Sequence, residues 1–429
     1  MEEESVEYND GVVQPWHRNA SRIRAAPGVT VIPESAFSRC TNLRVVDLSN
    51  VTILSIQSFV GCLSLERVVW TTASAVEISE WAFAACHSLQ EIDLSNATKI
   101  GKAAFLRCDA LTSVTVPSSV DAIERCAFYF CISLAEVKLC EGIQRIGSFA
   151  FCRCVSLARI SIPASVAKVE GGAFQLCTNL VEVVLCEGLQ RIGGGAFEYC
   201  TSLLRISIPS SVLKIGEYAF DRCNQLRSAE LQEGLQMIKK GAFSECRSLE
   251  RITIPSSATL IGCDAFQYCT SLSEVTLREG AHCIEDGVFD GCTALQHINI
   301  PPIALVIDIR GGSCQLMRAT MALPAPWERK LVVSKWLQYR SPSQLALAEA
   351  KVNEILARPQ QTEGQKITLI RERFAYYDRL DVTTMLELAI WRVNIVGNEQ
   401  DANTRQARRR SFGSDMNIII PRVLEYLEG

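Results

Sequence analysis

Leu180-Val181-Glu182-Val183-Val184-Leu185-Cys186-Glu187-Gly188-Leu189-Gln190-Arg191-Ile192-Gly193-Gly194-Gly195-Ala196-Phe197 is the stretch whose reading decides the fold. Leu180, Val183 and Leu185 carry a short strand pattern, and Glu187-Gly188 is a turn. Leu189 and Ile192 follow at spacing three, then Ala196-Phe197, and Cys200 and Leu203 close the unit and begin the next. Working outward, the Phe-x-x-Cys-x-x-Leu beat recurs at Phe37, Phe59, Phe83, Phe105, Phe128, Phe151, Phe174, Phe197, Phe220, Phe243, Phe266 and Phe289. The first steps are 22, 24 and 22 residues, and every later one is 23. A fixed period of this size marks a solenoid, in which each turn covers only its neighbours. One turn of 23 residues holds too few apolar side chains to offset the entropy of ordering it. Stacking is therefore obligatory, and both ends need covers.

The strand pattern matches the L-x-x-L-x-L signature of leucine-rich repeats. The chain resembles the BspA-like type of that repeat, in which I-P-x-S-V, I-G-x-x-A-F and C-x-S-L recur in order. Ile208-Pro209-Ser210-Ser211-Val212, Ile215-Gly216-Glu217-Tyr218-Ala219-Phe220 and Cys200-Thr201-Ser202-Leu203 carry the match, which spans roughly residues 29 to 300. The resemblance implies an α/β repeat: a right-handed leucine-rich-repeat solenoid of about twelve 22–24-residue turns with parallel strands on the concave face. It also implies a non-enzymatic adhesion or protein-interaction role. The expected organisation is an N-terminal extension or cap over 1–28, the solenoid over 29–303 and an α-helical C-terminal segment over 304–429, as in leucine-rich-repeat proteins of unicellular eukaryotes.

The turns also alternate. Pro117, Pro163, Pro209, Pro255 and Pro301 follow every second strand, and between them stand Cys140-Glu141-Gly142, Cys186-Glu187-Gly188, Gln232-Glu233-Gly234 and Arg278-Glu279-Gly280. The true unit is a pair of 46 residues, and the irregular early steps keep it, since Phe37 to Phe83 and Phe59 to Phe105 are each one such unit apart.

Composition agrees with a chain that buries a core, at 48% hydrophobic and 21% charged residues. Net charge is −4, which gives no reason to expect a nucleic-acid partner. Met1-Glu2-Glu3-Glu4-Ser5 is acidic where a secretion signal is basic, and no apolar window is long enough for a membrane span. The expected location is the cytoplasm, with the nucleus as the second choice. The oligomeric state is left open.

Nineteen cysteines would suggest disulfides in a small secreted protein, but twelve of them share one repeat position. A linear ladder does not converge as tetrahedral metal ligands must, so a buried thiol is read as a small hydrophobe with a weak donor for a loop carbonyl. No metal or cofactor is expected. The off-ladder cysteines Cys126, Cys140, Cys152, Cys186, Cys263, Cys283 and Cys314 are the ones expected to react if exposed.

The expected binding residues project from the strands. Arg67, Glu91, Glu136, Arg159, Glu182, Arg205, Arg251, Glu274 and His297 precede the central apolar strand position, and Lys138 and Glu230 lie two residues further along theirs. Their alternating signs read either as a docking stripe for a protein partner or as a self-neutralising ladder that fixes strand register. Short neighbours such as Ser161, Ser207, Thr253 and Thr276 leave a shallow trough able to accept an extended segment or loop.

The four histidines, His17, His87, His282 and His297, form no H-E-x-x-H, and neither a phosphate loop nor a G-x-S-x-G turn is present. A non-enzymatic interaction scaffold is the expected function, with a partner of unknown identity. The alternatives are an adaptor acting through its C-terminal helices and an adhesin-like protein exported without a recognisable signal. After about Ala304 the period gives way to helical patterns at about 328–339, 365–377, 382–395 and 415–428, and Ser341-Pro342-Ser343-Gln344 reads as a helix start. Arg408-Arg409-Arg410-Ser411 resembles a basophilic kinase motif, which makes Ser411 a candidate phosphorylation site.

Overall fold

The computed structural model describes residues 5–9, 13–14, 17–70, 75–278, 281–285, 287–299 and 305–308. Over the repeats, each turn of chain contributes two parallel strands separated by tight turns. The longer strands, such as Glu182–Leu185 and Arg205–Ile208, carry the L-x-x-L-x-L signature. The shorter ones, such as Arg191–Ile192 and Lys214–Ile215, form a second continuous parallel row from Val31–Ile32 to Ala281–Ile284. The sequence reading saw Leu189 and Ile192 as apolar positions without assigning that second row.

The α/β expectation is corrected within the described residues, where the sole helical element is the 3₁₀ turn His17–Asn19. The segment around each phenylalanine, where a helix would have to lie, is held by backbone geometry that excludes one. The residues two before and two after the phenylalanine sit at positive φ, from Ser35 and Arg39 to Asp264 and Tyr268. Two left-handed residues per turn stop any α-helix from propagating. None of these positions is β-branched, the residue class that tolerates the left-handed region least. Alternate amides then reach the next turn, as Phe197 N–H does to Ala219 C=O at 2.8 Å. The solenoid is thus laddered on this side as well. The expected C-terminal helices and Ser411 lie outside the described residues.

The core is a file of phenylalanines. From Phe37 to Phe289 the rings stack with centroids 5.1–5.7 Å apart and planes within 3–13°. Tyr8, fully buried, meets the first ring edge-on at 4.9 Å. It comes from Val6–Tyr8, which pairs in parallel with Arg22–Ala25, so the longer-strand row begins inside the segment assigned to a cap. Ile23 stands opposite Val46, a spacing of one repeat that could have revealed this.

The ladder thiols behave as read. From Cys62 to Cys292, each Sγ–H donates to the phenylalanine carbonyl of the preceding turn at 3.1–3.3 Å. The same carbonyl accepts the N–H of its own turn's cysteine, as Phe197 C=O does from Cys200 at 3.1 Å, so both lone pairs are used. Burial pushes the thiols of Cys108, Cys154 and Cys200 up, and that of Cys40 to about 11. Cys152 does not meet the condition of exposure: it is buried, its Sγ–H donates to Gln175 Oε1 at 3.8 Å, and burial raises it to about 12. Brief labelling of the native protein with a maleimide, mapped by mass spectrometry, should mark Cys126, Cys140, Cys186 and Cys263, which are partly exposed. It should leave Cys152 and the ladder untouched until the chain is unfolded. Labelling of Cys177 or Cys200 in the native state would contradict the packing.

The 46-residue pairing has a direct cause. Glu187 of one turn accepts the backbone N–H groups of Ser210 and Ser211 in the next at 3.1 Å, while Ser211 Oγ accepts from Gly188 N–H at 3.0 Å and donates to Leu189 C=O at 2.9 Å. Glu141 with Ala164 and Ser165, and Glu233 with Ser256 and Ser257, repeat the device. Glu-Gly turns and Pro-Ser-Ser turns are therefore two halves of one clasp.

Titration of these clasps has a predictable sign. Glu233 is opposed by partial burial, yet bonds from Ser256, Arg278 and Ser257 hold it down to about 2. Its stabilisation is complete above the ordinary value of 4.5 and is lost as pH falls toward 2. Asp221 runs the other way, since burial raises it to about 6 against the pull of Ser244 and Arg222. Charging it costs stability above that pH. The melting temperature should rise slightly from pH 7 to pH 5 and then fall below about pH 4.5. Asp221→Asn should abolish the rise, and Glu233→Gln should blunt the fall.

Candidate functional site

The predicted stripe lies in one row of the longer strands. Arg159, Glu182, Arg205, Ser228, Arg251, Glu274 and His297 stand opposite one another in successive strands of a seven-stranded parallel sheet. Glu230 is opposite Ser207, and Lys138 is opposite Thr115 in a separate two-stranded sheet. Glu136 belongs to that smaller sheet also, so the row is interrupted before Arg159. Strand alternation accounts for the placement: Ile160, Val183, Ile206 and Ile252 point inward and are buried, which turns the charged residues outward.

The stripe does little to neutralise itself. Arg159 and Glu182 approach only to 3.9 Å, and Arg251 and Glu274 to 3.7 Å. The two arginine side chains are 81% and 77% exposed. Pairs so long and so wet are worth at most ~0.5 kcal/mol. By contrast, Arg145 on the short-strand side grips Glu124 at 2.7 Å. Of the two readings of the alternation, the geometry gives the stabilising one little energy and leaves the stripe's charges facing solvent.

Arg67 and Glu91 are placed differently. They form a single parallel bridge at the edge of the four-stranded sheet that ends at Arg67–Val69. A cleft of about 440 Å³ opens there, lined by Arg67, Val69, Trp70, Glu91, Asp93 and Ser113 among others. Trp70 donates its indole N–H to Asp93 C=O at 2.6 Å and presents its ring edge-on to Phe83. The same turn is irregular in the short-strand row, where the register slips between Val76 and Glu77 against the next turn. Trp70 was not singled out from the sequence, although the 24-residue step from Phe59 to Phe83 flags its turn.

No catalytic constellation accompanies these surfaces. His87 Nδ1 lies 2.6 Å from Asp109 Oδ2, but no hydroxyl or thiol is bonded to that histidine among the described contacts. Among the described residues no helix is long and apolar enough to cross a membrane.

Comparison with known families and structures accords with this architecture. The family profile described as BspA type leucine rich repeat region (6 copies) matches residues 16–118, 98–226 and 192–310. A leucine-rich repeat protein from Bacteroides ovatus is 26% identical, with a TM-score of 0.53, covering 66% of this chain and 79% of its own. A leucine rich cell surface protein from Faecalibacterium prausnitzii is 27% identical over 66% of this chain and 88% of its own, with a TM-score of 0.42. A leucine-rich repeat protein from Eubacterium ventriosum is 21% identical over 71% and 86%, with a TM-score of 0.41. No curated protein matches.

Proposed function

The chain belongs to the BspA type leucine-rich-repeat family, and from that premise we propose that it is a non-enzymatic scaffold that binds a protein partner through the longer-strand face. Leucine-rich repeats generally serve as protein-interaction scaffolds. The observation that carries the reading is the in-register stripe from Arg159 to Glu274, whose Arg159 and Arg251 are exposed and only loosely paired. Beside it run Ser161, Ser207, Thr253 and Thr276, short enough to let an extended segment or loop lie flat. The mixed signs suit a partner with its own alternating charges, and deny a long polyanion any run of one sign. A reducing compartment such as the cytoplasm would suit a chain whose described cysteines are all free thiols.

Affinity capture with the full chain, wild type against the Arg159→Glu/Arg205→Glu variant, tests this. Partners held by the wild type should be lost or weakened at least tenfold in the variant, with the melting temperature unchanged. Retention of every partner at full strength would reduce the stripe to a structural feature.

A further inference from the structure

The charge that the strand face balances is left unbalanced at one place on the opposite, turn-bearing side. In the turns of Phe105, Phe128 and Phe151, Lys102 and Arg125 stand three residues before their phenylalanine, and Arg107 and Arg153 two after. All four are exposed, and none forms an ion pair among the described residues. The neighbouring acids are mostly engaged: Asp109 is 2.6 Å from His87, and Glu124 is 2.7 Å from Arg145. Only Glu80, exposed one turn before Lys102, is without such a partner there.

Phe130 organises this cluster. Arg107 from the preceding turn and Arg153 from the following one place their guanidinium carbons 5.8 and 4.8 Å from its ring centroid. Arg107, Phe130 and Arg153 occupy the same left-handed position in three successive turns, at φ of 59, 65 and 63°. Their amides are tied into the interturn ladder, Arg107 to Tyr129 C=O and Arg153 to Gln175 C=O, both at 2.8 Å. Cation–π attraction to the ring and a fixed backbone therefore restrict the two guanidinium groups before any ligand arrives, which lowers the entropy cost of binding.

We propose that this turn-side patch, Arg107 and Arg153 over Phe130 with Lys102 and Arg125 in the same run of turns, is a second binding site that takes a short acidic segment of a partner protein. Guanidinium edges offer paired donors that match a carboxylate, and four cations over three turns suit a segment of a few Asp or Glu residues. A single-stranded nucleic acid fits less well. It needs free aromatic faces for its bases, and both approaches to Phe130 are taken by arginines.

The test is fluorescence anisotropy of the full chain with three labelled probes: a Glu/Ser decapeptide, a Lys/Ser decapeptide and a ten-nucleotide single-stranded DNA. The Glu/Ser peptide should bind, more weakly as salt rises, and the Lys/Ser peptide should not. Arg107→Gln/Arg153→Gln should weaken binding at least tenfold, and Arg107→Lys/Arg153→Lys should weaken it less, with circular dichroism confirming the fold of each. Arg159→Gln/Arg205→Gln, on the other face, should leave it unchanged. The proposal is overturned if the Glu/Ser peptide does not bind, if both glutamine pairs weaken it equally, or if the DNA binds more tightly through the same arginines. Because the two faces are probed by separate variants, failure here leaves the strand-face reading standing.

Discussion

Phe197→Ala is expected to lower the stability of the solenoid by about 3–5 kcal/mol in urea unfolding. The ring is fully buried and stacks on both sides, at 5.3 Å on Phe174 and 5.3 Å on Phe220. Truncation removes two stacking contacts and leaves a cavity between turns that the ladder bonds prevent from collapsing. Neighbouring turns depend on each other in such an array, so the loss should also split the transition or broaden it. Phe289→Ala should cost less, since its ring is stacked on Phe266 alone among the described rings, at 5.7 Å. A change below about 1 kcal/mol for Phe197→Ala would mean that the file of rings is not the core.

Gly188→Ala should be nearly as damaging, at about 3 kcal/mol, through overpacking and backbone strain. Its φ of +111° is one that a side chain rarely accepts, and a Cβ there would lie 2.1 Å from Ala164 C=O. Neither the carbonyl nor the turn can yield without breaking the Glu187–Ser210 clasp. Gly28→Ala is the control: a Cβ there meets nothing within 4 Å, and the change should stay within about 0.5 kcal/mol. Equal stability of the two variants would show that the Glu-Gly turn adopts another conformation.

Much of this architecture is legible in the residues. Periodicity placed Phe197, Cys200 and Leu203 in the core, and all three are buried. The weak-donor reading of the cysteines found its acceptors in the phenylalanine carbonyls. The alternation of Glu-Gly and Pro-Ser-Ser turns was visible as a pattern, but its cause was not. A clasp between Glu187 and Ser211 needs the two turns side by side, and no local propensity encodes that contact.

The α/β expectation did not hold over the described repeats because the family likeness speaks to the repeat and not to the backbone inside it. Tyr199 and Tyr218 at φ of 60 and 56° are imposed by interturn bonds, which override what those side chains prefer alone. Strand alternation put Arg159, Glu182, Arg205, Arg251, Glu274 and His297 at equivalent strand positions, and these pair in one register row, while Arg67, Glu91 and Glu136 lie outside that sheet. The stripe's energetics were not legible, because whether Arg159 reaches Glu182 depends on rotamers at a wet surface. The cleft beside Trp70 was hidden for a related reason: the sequence shows a 24-residue step from Phe59 to Phe83, and only the three-dimensional placement of Arg67, Trp70, Glu91 and Asp93 shows a cleft in that turn.

The central claim is that a partner docks on the longer-strand face. Site-specific photocrosslinking on the full chain tests it most directly, with benzoylphenylalanine introduced at Ser161 or Ser207 on that face, or at Lys168 on the short-strand row. Crosslinks to a common protein partner are expected from Ser161 and Ser207, lost when Arg159 and Arg205 are reversed, and none from Lys168. Crosslinks from Lys168 with none from the two serines would contradict it.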